Sequence, residues 1–209
     1  MPFQLIPQDM IFLLPAVLVA LTVHEFAHAF ASHKLGDPTP KYQGRLTLNP
    51  IAHIDPMGLL MLVLFRFGWG KPVQVDPRYY SNRRQGTMLV SLAGPASNMI
   101  LAFVTLIFYV FFSQVNFVGT LLQRIFELNI VLAVFNLMPI PPLDGSKILA
   151  SILPPHIAYK YSNFFGQYGF FVLIALVATG ALRVVIGPVY SFMVHGMITI
   201  VTFLLSPFL

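Results

Sequence analysis

VALTVHEFAHAF, residues 19–30, sets two histidines and a glutamate inside one of the most apolar stretches of the chain. Ionisable side chains are costly in hydrocarbon, so their presence there calls for a function. His24 and His28 are four residues apart, so on a helix they share a face and can grip one metal ion together. Glu25 lies one step round, close enough to act on a water at the metal without being a ligand. This H-E-x-x-H spacing is the zinc hydrolase device of two imidazoles and a general base. Chance placement at this composition gives about 0.006 matches per chain even to a looser pattern that allows Asp or Glu at the second position, so the motif is informative. The bland alternative is a helix whose histidines satisfy nearby backbone or bind haem. It would leave Glu25 as an unpaired charge at membrane depth.

The surrounding composition fits that depth. The chain has 209 residues, of which 57% are hydrophobic and only 9% charged. A soluble domain carries about 25% charged residues, so this chain lacks the polar surface to face water on all sides. It reads as one integral membrane domain over residues 1–209. Cysteine is absent, which excludes disulfide and thiol chemistry. The net charge of +5 does not indicate nucleic acid, because the basic residues are spread between apolar segments. The first Lys or Arg is Lys34, so the first apolar segment reads as a retained helix and not a signal peptide.

A spanning helix needs about 20 mostly apolar residues. Residues 10–32, 86–112, 118–138 and 163–183 reach that length, as does 188–208, bracketed by Pro188 and Pro207. A further run, IDPMGLLMLVLFRF (54–67), is too short to span comfortably. The turn signal GWG follows it, and then KPVQV, whose alternation reads as a short strand. Eight of the twelve basic residues lie between Lys34 and Arg84. If 54–67 dips in and returns, all eight share one side, which the positive-inside rule makes cytoplasmic. The expected fold is therefore all-α and polytopic, with about five transmembrane helices. A re-entrant segment with short β-strands is expected between the first and second long helices.

Two histidines leave a catalytic zinc site one protein ligand short. NLMPIPPLDG (136–145) offers Asp144 from an apolar segment whose prolines force irregular backbone. Such backbone is tolerated at membrane depth only inside protein or beside a watery cavity. Gly145 permits a tight bend there. Read alone, Asp144 fits equally well as the cap of a helix after an ordinary Pro-Gly turn. LAGPASN (92–98) offers small residues for close helix approach and Asn98 as a hydrogen-bonding group, and packing alone would explain it.

Together, HEFAH, GPASN and N-x-x-P-x-x-P-L-D-G, in that order, resemble the site-2 proteases, the intramembrane zinc metalloproteases of peptidase family M50. The stretch GRLTLNPIAHIDPMG…GWGKPVQVDP, from Gly44 to Pro77, is similar to the compact bacterial and archaeal branch without a PDZ domain. The resemblance covers most of residues 20–150; beyond 160 only hydropathy remains. It implies one Zn2+ per chain held by His24, His28 and Asp144, with Glu25 as the catalytic base and Asn136 near the scissile peptide. It also implies a transmembrane protein substrate, a lipid bilayer as surroundings, and a site opening to the cytoplasm from a prokaryotic cell membrane. Nucleic acid is not an expected partner, and homo-oligomerisation is left open.

Residues 71–75 (Lys71, Pro72, Val73, Gln74 and Val75) are expected to line the cleft as an edge strand that holds the substrate by β-augmentation, with Val73 and Val75 on one face and Gln74 on the other. Asn98 is placed with them as a substrate-contacting residue. His53 and Asp55 are candidate accessory residues at the mouth of the re-entrant run, and a helix cap beside an interfacial histidine explains them as well. Arg124 and Glu127 are expected to pair. Two rival readings remain: a proton- or metal-ion-translocating transporter, in which the same polar residues line a path, and an inactive homologue serving as a chaperone.

Overall fold

A computed structural model of the chain describes residues 10–65 and 68–207. Among the described residues, five helices are long and apolar enough to cross a membrane: α1 (Met10–Lys34), α4 (Arg83–Phe112), α5 (Asn116–Asn136), α7 (Pro155–Ala178) and α8 (Ala181–Leu205). The shorter α2 (Thr39–Tyr42), α3 (Pro56–Phe65) and α6 (Asp144–Ile152) lie between them. Helix α4 starts where Asn82 caps it by accepting from the Gln85 N–H. Helix α5 ends just before the proline-rich run that sequence marks as irregular. The five apolar segments are thus where hydropathy places them, except at the last boundary. The break between α7 and α8 falls at Gly180, whose left-handed φ of 72° closes α7, and Pro188 lies inside α8. A proline is tolerated within an apolar helix where neighbouring groups take up the freed carbonyl.

Helices α1, α4 and α5 pack on one another and α6 lies against α4. Ala102 and Leu106 of α4 meet Phe126, Ile130 and Val134 of α5 and Val201 of α8 in a buried apolar cluster. Outward-facing aromatic residues such as Phe170, Phe171, Phe192 and Phe203 are more than half exposed. A surface this apolar suits lipid and not water.

Helix α3 is ten residues long, about 15 Å at 1.5 Å per residue, against a hydrocarbon core of about 30 Å. Its flanks meet: Ile54 and Gly70 form an antiparallel bridge, and the Lys71 N–H donates to the His53 carbonyl at 2.9 Å. Gly58 makes this return possible, since a Cβ there would lie 2.0 Å from the Trp69 carbonyl oxygen. A segment whose two flanks meet fits the re-entrant reading. Single cysteines at positions 41 and 83 should therefore label from the same face and one at position 115 from the other. Labelling of 41 and 83 from opposite faces would overturn the re-entrant reading.

The expected strands are a correction. Among the described residues the one pairing in this region is the isolated Ile54–Gly70 bridge, and 71–75 joins no ladder. Two of its backbone groups are taken by side chains instead. The Lys71 carbonyl accepts from the Arg45 guanidinium, and the Val73 N–H donates to a Glu25 carboxylate oxygen. The predicted alternation of faces does appear, with Val73 and Val75 half-buried and Gln74 exposed.

Candidate metal centre and active site

His24 and His28 point from one face of α1 toward Asp144, the first residue of α6, and all three are buried. The His24 and His28 Nε2 atoms are 3.0 Å apart, and Asp144 Oδ2 lies 3.2 and 3.0 Å from them. Ligands at about 2.0–2.1 Å around a tetrahedral zinc ion stand about 3.3 Å from each other, so the triangle is close to the size that ion needs. The chemistry of the donors agrees. The other ring nitrogen of each histidine is engaged away from the centre: His28 Nδ1 donates to the Val90 carbonyl at 2.7 Å, and His24 Nδ1 meets Asn98 Oδ1 at 2.6 Å. With its proton on Nδ1, His28 turns an Nε2 lone pair toward a carboxylate oxygen, and two acceptors that close favour a cation between them. The residues therefore fit a metal ion.

Two glycines make the triangle possible. A Cβ on Gly94, in α4, would lie 2.4 Å from His28 Nε2 and 2.6 Å from His24 Cε1. A Cβ on Gly145 would lie 2.1 Å from the Leu137 carbonyl oxygen. Gly145 sits in helix α6 without a positive φ, so close approach, and not the bend expected from sequence, is what requires it. Gly94→Ala should lower metal affinity at least about tenfold while helix content stays unchanged, although Gly→Ala inside a helix ordinarily stabilises by about 1 kcal/mol. Chelator competition and circular dichroism check this, and an unaltered affinity would contradict the packing.

The triangle floors a cavity of about 640 Å³, also lined by Glu25, Asn136, residues 72–75 and Lys147. Glu25 is half-exposed, and its Oε2 accepts the Val73 N–H at 2.9 Å. Asn136 uses one amide N–H on the Leu132 carbonyl at 2.9 Å. Residues 71–76 are fastened at both ends. The buried Arg45 donates to the carbonyls of Ala52 and Lys71. The buried Asp37 accepts from Ser32 Oγ at 2.7 Å, the Thr39 N–H at 2.9 Å and the Asp76 N–H at 2.7 Å. Burial alone would raise the Asp37 carboxyl, but these donors outweigh it and hold the group below the usual carboxylate range.

The other expected residues lie elsewhere. Asn98 is fully buried behind His24 and does not line the cavity, so it cannot touch a substrate held there. His53 is buried, with its Nε2 on the Thr47 carbonyl, and Asp55 accepts the Gly58 N–H at 2.8 Å, capping α3. Neither lines the cavity. Arg124 and Glu127 pair at 2.9 Å as expected. Sequence reading missed Lys147, whose Nζ is 3.5 Å from Asp144 Oδ1. Its position three residues after Asp144, on the same face of a helix, was the available signal.

A buried metal triangle beside an open carboxylate, set among apolar helices, is a metallohydrolase centre carried by a membrane-type bundle. The pattern of Peptidase family M50 matches residues 113–179, which contain Asn136 and Asp144. YwhC of Bacillus subtilis, by its name a candidate zinc metalloprotease, is 40% identical over 187 residues, covering 85% of this chain and 83% of its own length. Rip2 of Mycolicibacterium smegmatis, named in the same way, is 35% identical over 181 residues, covering 79% of this chain and 66% of its own. Zinc metalloprotease MJ0392 of Methanocaldococcus jannaschii is 28% identical over 148 residues, or 70% of this chain and 36% of its own. No solved structure matches the chain. The chain belongs to peptidase family M50.

Proposed function

We propose that this metallopeptidase is an intramembrane zinc protease, which hydrolyses a peptide bond within or near a transmembrane segment of a membrane protein. The observation that carries the reading is the His24–His28–Asp144 triangle beside Glu25 in a cavity among lipid-compatible helices. The relatives' names support zinc as the ion. His24, His28 and Asp144 would hold it. When bound, zinc supplies Lewis acidity, lowering the pKa of water toward 7 and polarising a carbonyl. Glu25 takes the proton of the attacking water and returns it to the leaving amine. The Val73 N–H orients the Glu25 carboxylate through Oε2 and leaves Oε1 for that proton. The second N–H of Asn136 can donate to the developing oxyanion. The clustering of basic residues between Lys34 and Arg84 supports a cavity open to the cytoplasm, in the cell membrane of a prokaryote.

Residues 72–75 grip the substrate in this reading, without forming a strand beforehand. Among the described residues the N–H groups of Gln74 and Val75 make no hydrogen bond, so they are free to pair with an unwound substrate. Gln74→Pro would remove one such donor, and Val73→Pro would remove the bond to Glu25. Each is expected to slow cleavage of a membrane substrate about 10- to 100-fold with zinc content intact. Normal turnover in both would mean that the segment only packs.

The test of the function joins two measurements on purified protein in detergent or liposomes: zinc content, and cleavage of a model transmembrane substrate. About one zinc per chain with chelator-sensitive cleavage is expected. Zinc-loaded protein that moves metal or protons across liposomes and cleaves no substrate would favour the transporter.

A further inference from the structure

Behind His24 lies a buried pair of asparagines. Asn98 of α4 and Asn129 of α5 are both fully buried and lie outside the cavity. Asn98 Nδ2 donates to the Ala20 carbonyl of α1 at 3.0 Å and to Asn129 Oδ1 at 2.7 Å. Asn129 Nδ2 donates to the Ile125 carbonyl at 2.7 Å. A backbone carbonyl only accepts, so each end of this chain has a fixed sense. Ile125 sets the Asn129 amide, which offers its oxygen to Asn98. Ala20 and Asn129 together claim both N–H bonds of Asn98. Asn98 Oδ1 is thereby turned to His24 Nδ1, 2.6 Å away, and can only accept from it.

We infer that Asn98 and Asn129 form a relay that fixes His24 as the Nδ1–H tautomer and so presents its Nε2 lone pair to the metal. Both are positioning residues, since neither supplies an atom to the metal triangle or lines the cavity. The relay also ties α1, α4 and α5 together at the level of the ligand, so the helix packing and the ligand's protonation are set by the same bonds. A second partner of this kind typically changes metal affinity about 10- to 100-fold when removed. Val90 serves His28 with a backbone carbonyl that no substitution can delete, whereas His24 depends on two side chains.

The inference rests on His24 being a zinc ligand, so the first measurement is zinc binding by the unaltered protein. Its failure would remove the proposed function and not this relay alone. With binding established, Asn98→Leu and Asn129→Leu are compared by chelator competition for zinc and by imidazole 15N NMR of the metal-free protein. The unaltered protein should show His24 with its proton on Nδ1. Asn98→Leu should mix the tautomers and weaken zinc binding about 10- to 100-fold. Asn129→Leu, which touches neither histidine, should shift both readouts in the same direction by a smaller factor, and it keeps the test open if Asn98→Leu does not fold. A residue that merely packs would alter stability and leave the tautomer and the affinity of folded protein unchanged, and that result in both variants would overturn the inference. An effect confined to Asn98→Leu would overturn the relay.

Discussion

Glu25→Gln should lower peptide cleavage about 10²- to 10⁴-fold while about one zinc per chain remains bound. General-base catalysis contributes about 10²–10⁴ in rate, and the neutral amide cannot take the proton of water. Its carbonyl oxygen can still accept the Val73 N–H, so the segment over the cavity keeps its anchor. The metal triangle does not include Glu25. Measured together, turnover and zinc content separate the base from the ligands. Near-normal turnover would mean that the proton goes elsewhere and that the hydrolytic mechanism is wrong.

Removing a ligand should have a different signature. His24→Ala or Asp144→Ala takes away one corner of the triangle and should abolish both activity and tight binding. Zinc sites with four ligands are worth about 10–16 kcal/mol, so one ligand's share predicts a loss of about 100- to 1,000-fold in affinity. Asp144→Ala also leaves Lys147 without its carboxylate partner, so a cation then faces the histidines. Its loss of zinc should therefore be the larger of the two. Equal zinc retention in both variants would place the metal somewhere other than this triangle.

The sequence carried what is periodic or rare. Twenty apolar residues in a row announce a helix wherever they fold, and a glutamate between two histidines in such a row is too costly to be incidental. Asp144 was legible only in part: its segment read equally well as a helix cap, and the resemblance was what singled it out as a ligand. What sequence could not show is which partner each group meets after folding. Alternation in KPVQV looks like a strand, yet Arg45 and Glu25, 26 and 48 residues away in sequence, take the groups a ladder would have used. Asn98 looked like a substrate contact because its motif is near the site; only the packing of α1 on α4 turns it to the back of His24. Asn129 went unnoticed, although a lone amide within an apolar helix was a fair signal. Pro188 looked like a boundary, but the break goes to Gly180, where a left-handed turn costs nothing.

The bridge between Ile54 and Gly70 has a consequence for how the chain is made. A segment that leaves and rejoins the same side adds no crossing, so it does not alter the parity of anything synthesised after it. The orientation of α4 and of each later helix can be settled at the insertion machinery before residues 54–70 have found their depth.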